Sequence, residues 1–115
     1  MTDWTDIAAD AELAPGQRLC ALANGRRIVV FRTDDDLFAV ADVCPHAGQP
    51  LSDGELRGSV LTCPYHGFAY DLRTGRNTAY PDDELPARVY PTRVRDGRIE
   101  VQVPPPKPAA NRPHQ

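Results

Sequence analysis

Two short stretches of this chain carry one thiol and one imidazole each: residues 44–48 read CPHAG, and residues 63–67 read CPYHG. One residue separates Cys44 from His46, two separate Cys63 from His66, and sixteen residues lie between the two pairs. The prolines stiffen both stretches, and the glycines permit tight bends in which main-chain N–H groups point at a buried anion. The pattern predicts two loops that together present four metal-ligating side chains.

This spacing resembles that of the Rieske family, in which C-x-H is followed about sixteen residues later by C-x-x-H. The similarity continues around both pairs, through residues 44–54 and 63–75, and into the segment 90–101 near the end of the chain. It therefore covers about residues 4–103.

The resemblance implies one 2Fe-2S cluster of the Rieske type. Cys44 and Cys63 would bind the inner iron, and His46 and His66 would bind the outer iron. Two neutral imidazoles in place of two thiolates remove negative charge next to the iron. The reduced cluster is then less disfavoured, so potentials of roughly −150 to +300 mV are expected, against roughly −400 mV for plant-type clusters.

Two features of the high-potential respiratory members are missing. The loops hold no extra cysteine pair, and Phe68 stands where those proteins place a serine hydroxyl donor. Tyr70 stands where they place a tyrosine donor to a cysteine sulfur. Fewer donors stabilise the reduced cluster less, so we expect a midpoint near or below about −150 mV. The resemblance is closest to the ferredoxins of bacterial ring-hydroxylating and related oxygenase systems.

Outside the two loops, the periodicity is that of strands. Asn24-Gly25 separates the apolar-rich runs 18–22 and 26–31, Asp96-Gly97 separates the runs 89–95 and 99–103, and both pairs predict two-residue hairpins. Further strands are expected at residues 37–41, 60–63 and 68–71, and no segment carries a helical stripe of more than about two turns. The predicted fold is all-β: a Rieske-like antiparallel sandwich or barrel with a small cluster-binding lobe of two loops at about residues 44–71.

The length and ends of the chain predict one domain with a tail. A chain of 115 residues rarely splits its core, so residues 1–103 are expected to form one Rieske domain. Residues 104–115 are rich in proline and have little to bury, which predicts an extended, mobile tail. The N-terminus shows no signal or transit pattern and the apolar runs are short, so a cytoplasmic protein without a membrane anchor is expected.

The net charge of −3 disfavours a nucleic-acid partner and favours a protein partner with a basic docking patch. The acidic run at residues 82–84 is interpreted as a solvated loop rather than a docking patch, and the run at residues 34–36 as a turn. Cys20 alternates with apolar neighbours and is expected to be a buried filler. Trp4 is expected to pack at a strand end, and His114 to be exposed.

Three hypotheses of function follow. The first is a free one-electron carrier between a flavoprotein reductase and a terminal oxygenase. It would not be an enzyme by itself, because beyond the four predicted ligands only His114 remains for a two-histidine iron site. The second is a permanent small subunit, similar to that of NAD(P)H-dependent nitrite reductase. The third is a structural zinc module, for which a C-x-H pair is an unusual ligand spacing.

Overall fold

The structure, a computed structural model, describes residues 3–45, 48–64, 67–80, 82 and 85–105. The strands in this part of the chain are β1 (Thr5–Ala9), β2 (Arg18–Ala23), β3 (Arg26–Arg32), β4 (Leu37–Ala41), β5 (Glu55–Arg57), β6 (Val60–Thr62), β7 (Ala69–Asp71), β8 (Val89–Tyr90), β9 (Thr92–Arg95) and β10 (Arg98–Val101). Two single 3₁₀ turns, Asp10–Glu12 and Leu51–Asp53, complete the regular structure. The all-β prediction is confirmed. No helix in the described ranges is long and apolar enough to span a membrane.

The strands form three antiparallel sheets. Sheet A has the order β1-β10-β9, sheet B the order β2-β3-β4-β8, and sheet C the order β5-β6-β7. Sheets A and B are called the base below. Sheet C and the two loops that carry Cys44 and Cys63 are called the lobe, which spans residues 44–71.

Both predicted hairpins are present. Asn24 and Gly25 have φ of 51° and 76°, and Asp96 and Gly97 have φ of 52° and 75°. Two successive residues with positive φ give the turn whose twist matches that of the flanking strands. The turns therefore set the registers of β2 with β3 and of β9 with β10.

Sheet B lies between the two other sheets, and its central strand β3 is buried on both faces. Alternate residues of β3 belong to different cores: Val29 and Phe31 pack with residues of the lobe, whereas Ile28 and Val30 pack with sheet A. Because side chains alternate along a strand, this central position explains why β3 reads as a continuous apolar run. The core between sheets B and A also contains Ile99, Val101 and Val103, each 0% exposed.

The prediction for Cys20 is wrong. Cys20 is exposed, with its Sγ 3.9 Å from Asp42 Oδ2. It pairs with Val29 and so points to the lobe side of sheet B, but β2 is the outermost strand there and the lobe does not cover it. The neighbouring Leu22, 68% exposed, marks the same uncovered edge.

Other differences from the sequence predictions concern short or interrupted strands. The run 89–95 divides at Pro91 into β8, which joins sheet B, and β9, which joins sheet A. The strands β1 and β5 were not predicted at all.

The turn at residues 34–36 is confirmed, since Thr33 N donates to Asp36 O at 2.9 Å. Trp4 lies beneath the Arg93 guanidinium, 4.2 Å from the ring centre, at the end of sheet A.

Candidate metal centre

The first loop leaves the end of β4 and turns back on itself. Cys44 N donates to Gln49 O at 2.7 Å, and Gly48 N donates to Cys44 O at 2.9 Å. Gly48 has φ of 68°, a conformation that a glycine adopts without steric cost. These bonds close the loop around Cys44, whose side chain is 1% exposed.

The second loop connects β6 to β7. Cys63 N donates to Phe68 O at 2.7 Å, so Cys63 and Phe68 extend the pairing of the two strands. Gly67 has φ of 69°. Cys63 is 0% exposed and belongs to the same buried cluster as Cys44. The two predicted thiol ligands therefore share one core, although eighteen residues of sequence lie between them.

Tyr70 lies in β7 and is fully buried in that core. Its hydroxyl oxygen is 3.6 Å from Cys44 Sγ, within hydrogen-bonding distance for sulfur. This contact agrees with the expected role of Tyr70 as a donor to a cysteine sulfur. An O–H donor to a thiolate stabilises negative charge on the sulfur.

Phe68, at the end of the second loop, contacts Tyr80. Their ring centres are 5.3 Å apart and the rings meet edge to face at 63°. Phe68 is half-buried against the core of the lobe and carries no hydroxyl, whereas Tyr80 is exposed. Position 68 therefore presents an aromatic ring, and no hydroxyl, to the core that holds the thiols.

Two side chains outside the loops bind the turn that follows the first loop, a role that no local sequence pattern predicts. Asp42 accepts hydrogen bonds from Ser52 N at 2.6 Å and Ser52 Oγ at 2.9 Å. Arg18, on β2, donates to the carbonyl oxygens of Ser52 and Gly54 at 2.6 and 2.5 Å, with its guanidinium 4.8 Å from the Phe31 ring centre. Together they fasten the lobe to sheet B.

The chain leaves the lobe through a tight turn after β7. Asp71 O accepts hydrogen bonds from Thr74 N and Gly75 N, and its carboxylate accepts one from Arg73 N at 2.9 Å. Hydrogen bonds from the Arg73 side chain are the main reason that the pKa of Asp71 lies below its usual value. Gly75 has φ of 85° and packs against the Ala87 carbonyl.

The donor set that the structure describes fits an iron–sulfur centre in part. The three cysteines, all of which are described, form no disulfide, and Cys44 and Cys63 are buried thiols beside a tyrosine hydroxyl. Soft thiolates in an apolar setting suit iron–sulfur clusters. His46 and His66 lie outside the described residues. Within the described ranges no three His, Cys, Asp or Glu side chains are gathered for a metal ion.

Comparison with known proteins agrees with this reading. The family model for the Rieske [2Fe-2S] domain matches residues 3–91. The anthranilate 1,2-dioxygenase ferredoxin subunit of Burkholderia cepacia is 37% identical over 103 residues, which are 90% of this chain and 94% of that protein.

Two solved structures show the same fold. One is a chain of the complex of reduced oxygenase and oxidized ferredoxin in carbazole 1,9a-dioxygenase, with a TM-score of 0.77, 31% identity, and coverage of 86% of this chain and 92% of that one. The other is described as the small subunit of an NADH-dependent nitrite reductase from Mycobacterium tuberculosis. It has a TM-score of 0.75, 32% identity, and coverage of 88% and 95%. The chain therefore belongs to the Rieske [2Fe-2S] domain family, and its cofactor is one 2Fe-2S cluster of the Rieske type.

Proposed function

We propose that this protein is a soluble one-electron carrier that passes electrons from a flavoprotein reductase to a terminal oxygenase. The observation that carries the proposal is the similarity, over nine-tenths of the chain, to a dioxygenase ferredoxin subunit. The buried pair of thiols beside Tyr70 supports it, because a redox centre needs such a pair and a purely structural β-domain does not. In this proposal the protein lies in the cytoplasm, binds neither nucleic acid nor membrane, and catalyses no substrate reaction alone.

The proposed ligands are Cys44, His46, Cys63 and His66. The described geometry supports the cysteine half: both thiols are buried in one core, and the loop hydrogen bonds bring them there. The assignment of His46 and His66 as ligands is based on the sequence spacing alone. When bound, the cluster supplies one reversible electron per chain.

The protein's own residues have separable tasks in this proposal. Tyr70 donates to the sulfur of Cys44 and so favours the more negative, reduced state. Arg18 and Asp42 hold the first loop against sheet B and limit its movement when the charge of the centre changes. Phe68 packs against the core that holds the thiols and offers no hydroxyl donor there.

We further propose that residues 1–103 form the Rieske domain, with the lobe at about 44–71, and that 104–115 form a tail. Val103 is fully buried, whereas Pro104 and Pro105 are exposed, which supports a domain boundary at this point. The Arg26 side chain donates to the carbonyl oxygens of both prolines, at 2.9 and 3.4 Å. Residues 106–115, including His114, lie outside the described residues.

The second candidate is a small Rieske subunit of an enzyme complex such as NAD(P)H-dependent nitrite reductase. The nitrite reductase neighbour favours it, because its identity of 32% is close to the 31% of the carbazole 1,9a-dioxygenase chain. Both candidates need the same cluster, so the cluster does not distinguish them. Their partners do: a free carrier meets two enzymes in turn, and a subunit stays with one.

Affinity purification of the tagged protein from its own cells, at low and at high salt, tests the proposal. A free carrier is expected to elute alone at high salt, and to be reduced by NADH through a flavoprotein recovered from the low-salt eluate. Retention of a large sirohaem protein through the high-salt wash would establish the subunit instead. Zinc in place of iron and sulfide would contradict both.

A further inference from the structure

A groove of about 860 Å³ runs beside the first loop. Its lining includes part of the loop, through Val43, Cys44, Pro45 and Gly48. It also includes three arginines, Arg26, Arg27 and Arg88. A concentration of positive side chains here is unexpected in a chain whose net charge is −3.

Backbone pairing places two of these arginines on either side of the path into the loop. Ala41 N donates to Arg88 O at 2.8 Å, and Asp42 N donates to Arg27 O at 3.0 Å. Residues 41 and 42 lead directly into Val43 and Cys44. Because β4 lies between β3 and β8 in sheet B, Arg27 and Arg88 stand on either side of the backbone segment that leads to Cys44.

The positive charge of the groove is not neutralised by the residues that the structure describes. Five arginines elsewhere pair with carboxylates: Arg32 with Asp10, Arg57 with Glu55, Arg73 with Asp71, Arg93 with Glu100 and Arg98 with Asp6. Within the described ranges, neither Arg27 nor Arg88 has a carboxylate at ion-pair distance. Asp42 is the one carboxylate among the described residues that line the groove, and its hydrogen bonds from Ser52 leave its charge in place, so three guanidinium groups stand against one carboxylate. The hydrogen bonds described for Arg26 go to the carbonyl oxygens of Pro104 and Pro105.

The groove also has features of a contact surface for a protein. Val43 and Leu85, at its rim, are 45% and 52% exposed. The Tyr90 hydroxyl, in its wall, is buried without a hydrogen-bond partner among the described residues. Apolar side chains next to unpaired guanidinium groups are typical of protein interfaces, where arginine and aromatic residues are enriched.

We propose that this groove is the docking site for an acidic face of a redox partner protein, with Arg27 and Arg88 pairing with its carboxylates. The inference rests on the proposed carrier function. The net charge of the chain favours a partner with a basic contact face, whereas this groove favours an acidic one. The charge of the groove, and not the net charge, should determine which partner face binds. Salt at about 0.15 M screens charges beyond about 8 Å, whereas charged groups in contact still interact.

Two small oxidants of opposite charge probe the potential at the groove. The cluster-loaded, reduced protein is mixed with hexacyanoferrate(III) or hexaammineruthenium(III) in a stopped-flow instrument at several salt concentrations. Each oxidant takes one electron from the protein and becomes the Fe(II) or Ru(II) complex. With the anionic oxidant, the rate is expected to fall as salt rises, because the groove attracts the anion. A rate that rises with salt, as net repulsion by a charge of −3 demands, would overturn the proposal.

Charge reversals locate the effect. Arg27→Glu and Arg88→Glu should each slow the anionic oxidant about tenfold at low salt and speed the cationic one. Arg95→Glu is the matched control, because Arg95 is exposed on β9 and lies outside the groove. An equal effect of all three reversals would show that net charge acts alone, and the groove would then have no role. Arg27→Lys and Arg88→Lys keep the charge and should keep the wild-type rates.

Binding of a fluorescent hexaglutamate peptide separates this inference from the proposed function. The peptide should bind the wild-type protein and the Lys variants at low salt, and bind the Glu reversals at least tenfold more weakly. If a protein that accepts no electron still bound the peptide, the carrier function would be overturned, while the groove would remain a docking site for acidic partners. Normal redox cycling without a preference for the peptide over hexalysine would overturn the docking site alone.

Discussion

The base and the lobe are stabilised in different ways. In the base, β3 has seven residues and packs on both faces, and the β2–β3 and β9–β10 hairpins have turns with two positive φ angles. In the lobe, each strand of sheet C has three residues, and two of the buried core residues are the thiols Cys44 and Cys63. Three-residue strands lie at the short end of what sheets use. The core between sheets A and B is thus entirely apolar, whereas the core between sheet B and the lobe includes two candidate metal ligands.

The two regions nevertheless share one core. Val29, Phe31 and Val40 of sheet B pack with Leu51, Leu61 and Tyr70 of the lobe. Arg18 and Asp42 add hydrogen bonds between the two regions. The lobe is therefore joined to sheet B by both apolar packing and polar contacts.

Loss of a proposed thiol ligand should have the largest effect. Cys44→Ala and Cys63→Ala are each expected to abolish the incorporation of iron and acid-labile sulfide, because the inner iron loses half its protein ligands. Cys20→Ala is the matched control, an exposed thiol at the edge of sheet B, and should leave both unchanged. Iron and sulfide per chain are measured after reconstitution. Cluster loss in the Cys20 variant alone would make the ligand assignment wrong.

A pair of core truncations sharpens the comparison between base and lobe. Ile99 and Leu61 are both 0% exposed, the first in the base core and the second in the core that holds the thiols. Each change to Ala should lower the free energy of unfolding by about 2–5 kcal/mol. Only Leu61→Ala should also shift the midpoint potential, because only it repacks the surroundings of Cys44 and Cys63. Denaturant titration and voltammetry report the two effects, and equal shifts of potential would refute the separation.

Two glycine substitutions compare the turns of the two regions. Gly97, in the base, has φ of 75° and open space where a Cβ would stand, so Gly97→Ala should cost only the left-handed strain, about 1–2 kcal/mol. Gly75, at the exit from the lobe, has φ of 85°, and a Cβ there would overlap the Ala87 carbonyl oxygen. Gly75→Ala should therefore destabilise more, as measured by urea denaturation. A smaller cost at Gly75 would show that this turn relaxes freely.

The sequence predicted those features that have a local signature. The hairpins at Asn24-Gly25 and Asp96-Gly97 were predictable because few residue pairs tolerate two positive φ angles. The burial of Cys44 and Cys63 followed from the ligand pattern. The positions of His46 and His66 lie outside the described residues, so their ligand role stays a prediction.

What the sequence did not predict depends on long-range packing. Arg18 and Ser52 are separated by 34 positions, and no local pattern indicates that they meet. Alternation showed which residues share a face with Cys20, but it did not show that β2 ends the sheet and leaves that face uncovered. The basic groove was hidden for the same reason, because Arg27 and Arg88 become neighbours of Cys44 only through strand pairing.

The hydroxyl of Tyr70 should have a smaller, purely electronic effect. Tyr70→Phe removes a hydrogen bond to Cys44 Sγ worth about 1–1.5 kcal/mol. Loss of a donor destabilises the reduced state, so the midpoint should fall by about 40–65 mV, at about 59 mV per 1.4 kcal/mol for one electron. Tyr80→Phe is the matched control, since Tyr80 is exposed, and should leave the potential unchanged. Protein-film voltammetry at one pH measures all three proteins, and an upward shift for Tyr70→Phe would contradict the donor role.

Pulsed electron paramagnetic resonance of the reduced protein, labelled with ¹⁵N-histidine, tests the central claim most directly. The chain contains three histidines, and the account assigns two of them, His46 and His66, to the outer iron. Two strongly coupled nitrogens are predicted in the wild-type protein and in His114→Ala. His46→Ala and His66→Ala should each lose the normal signal or one of its nitrogen couplings. A reduced 2Fe-2S signal without coupled histidine nitrogen, or one that survives both substitutions unchanged, would contradict the account.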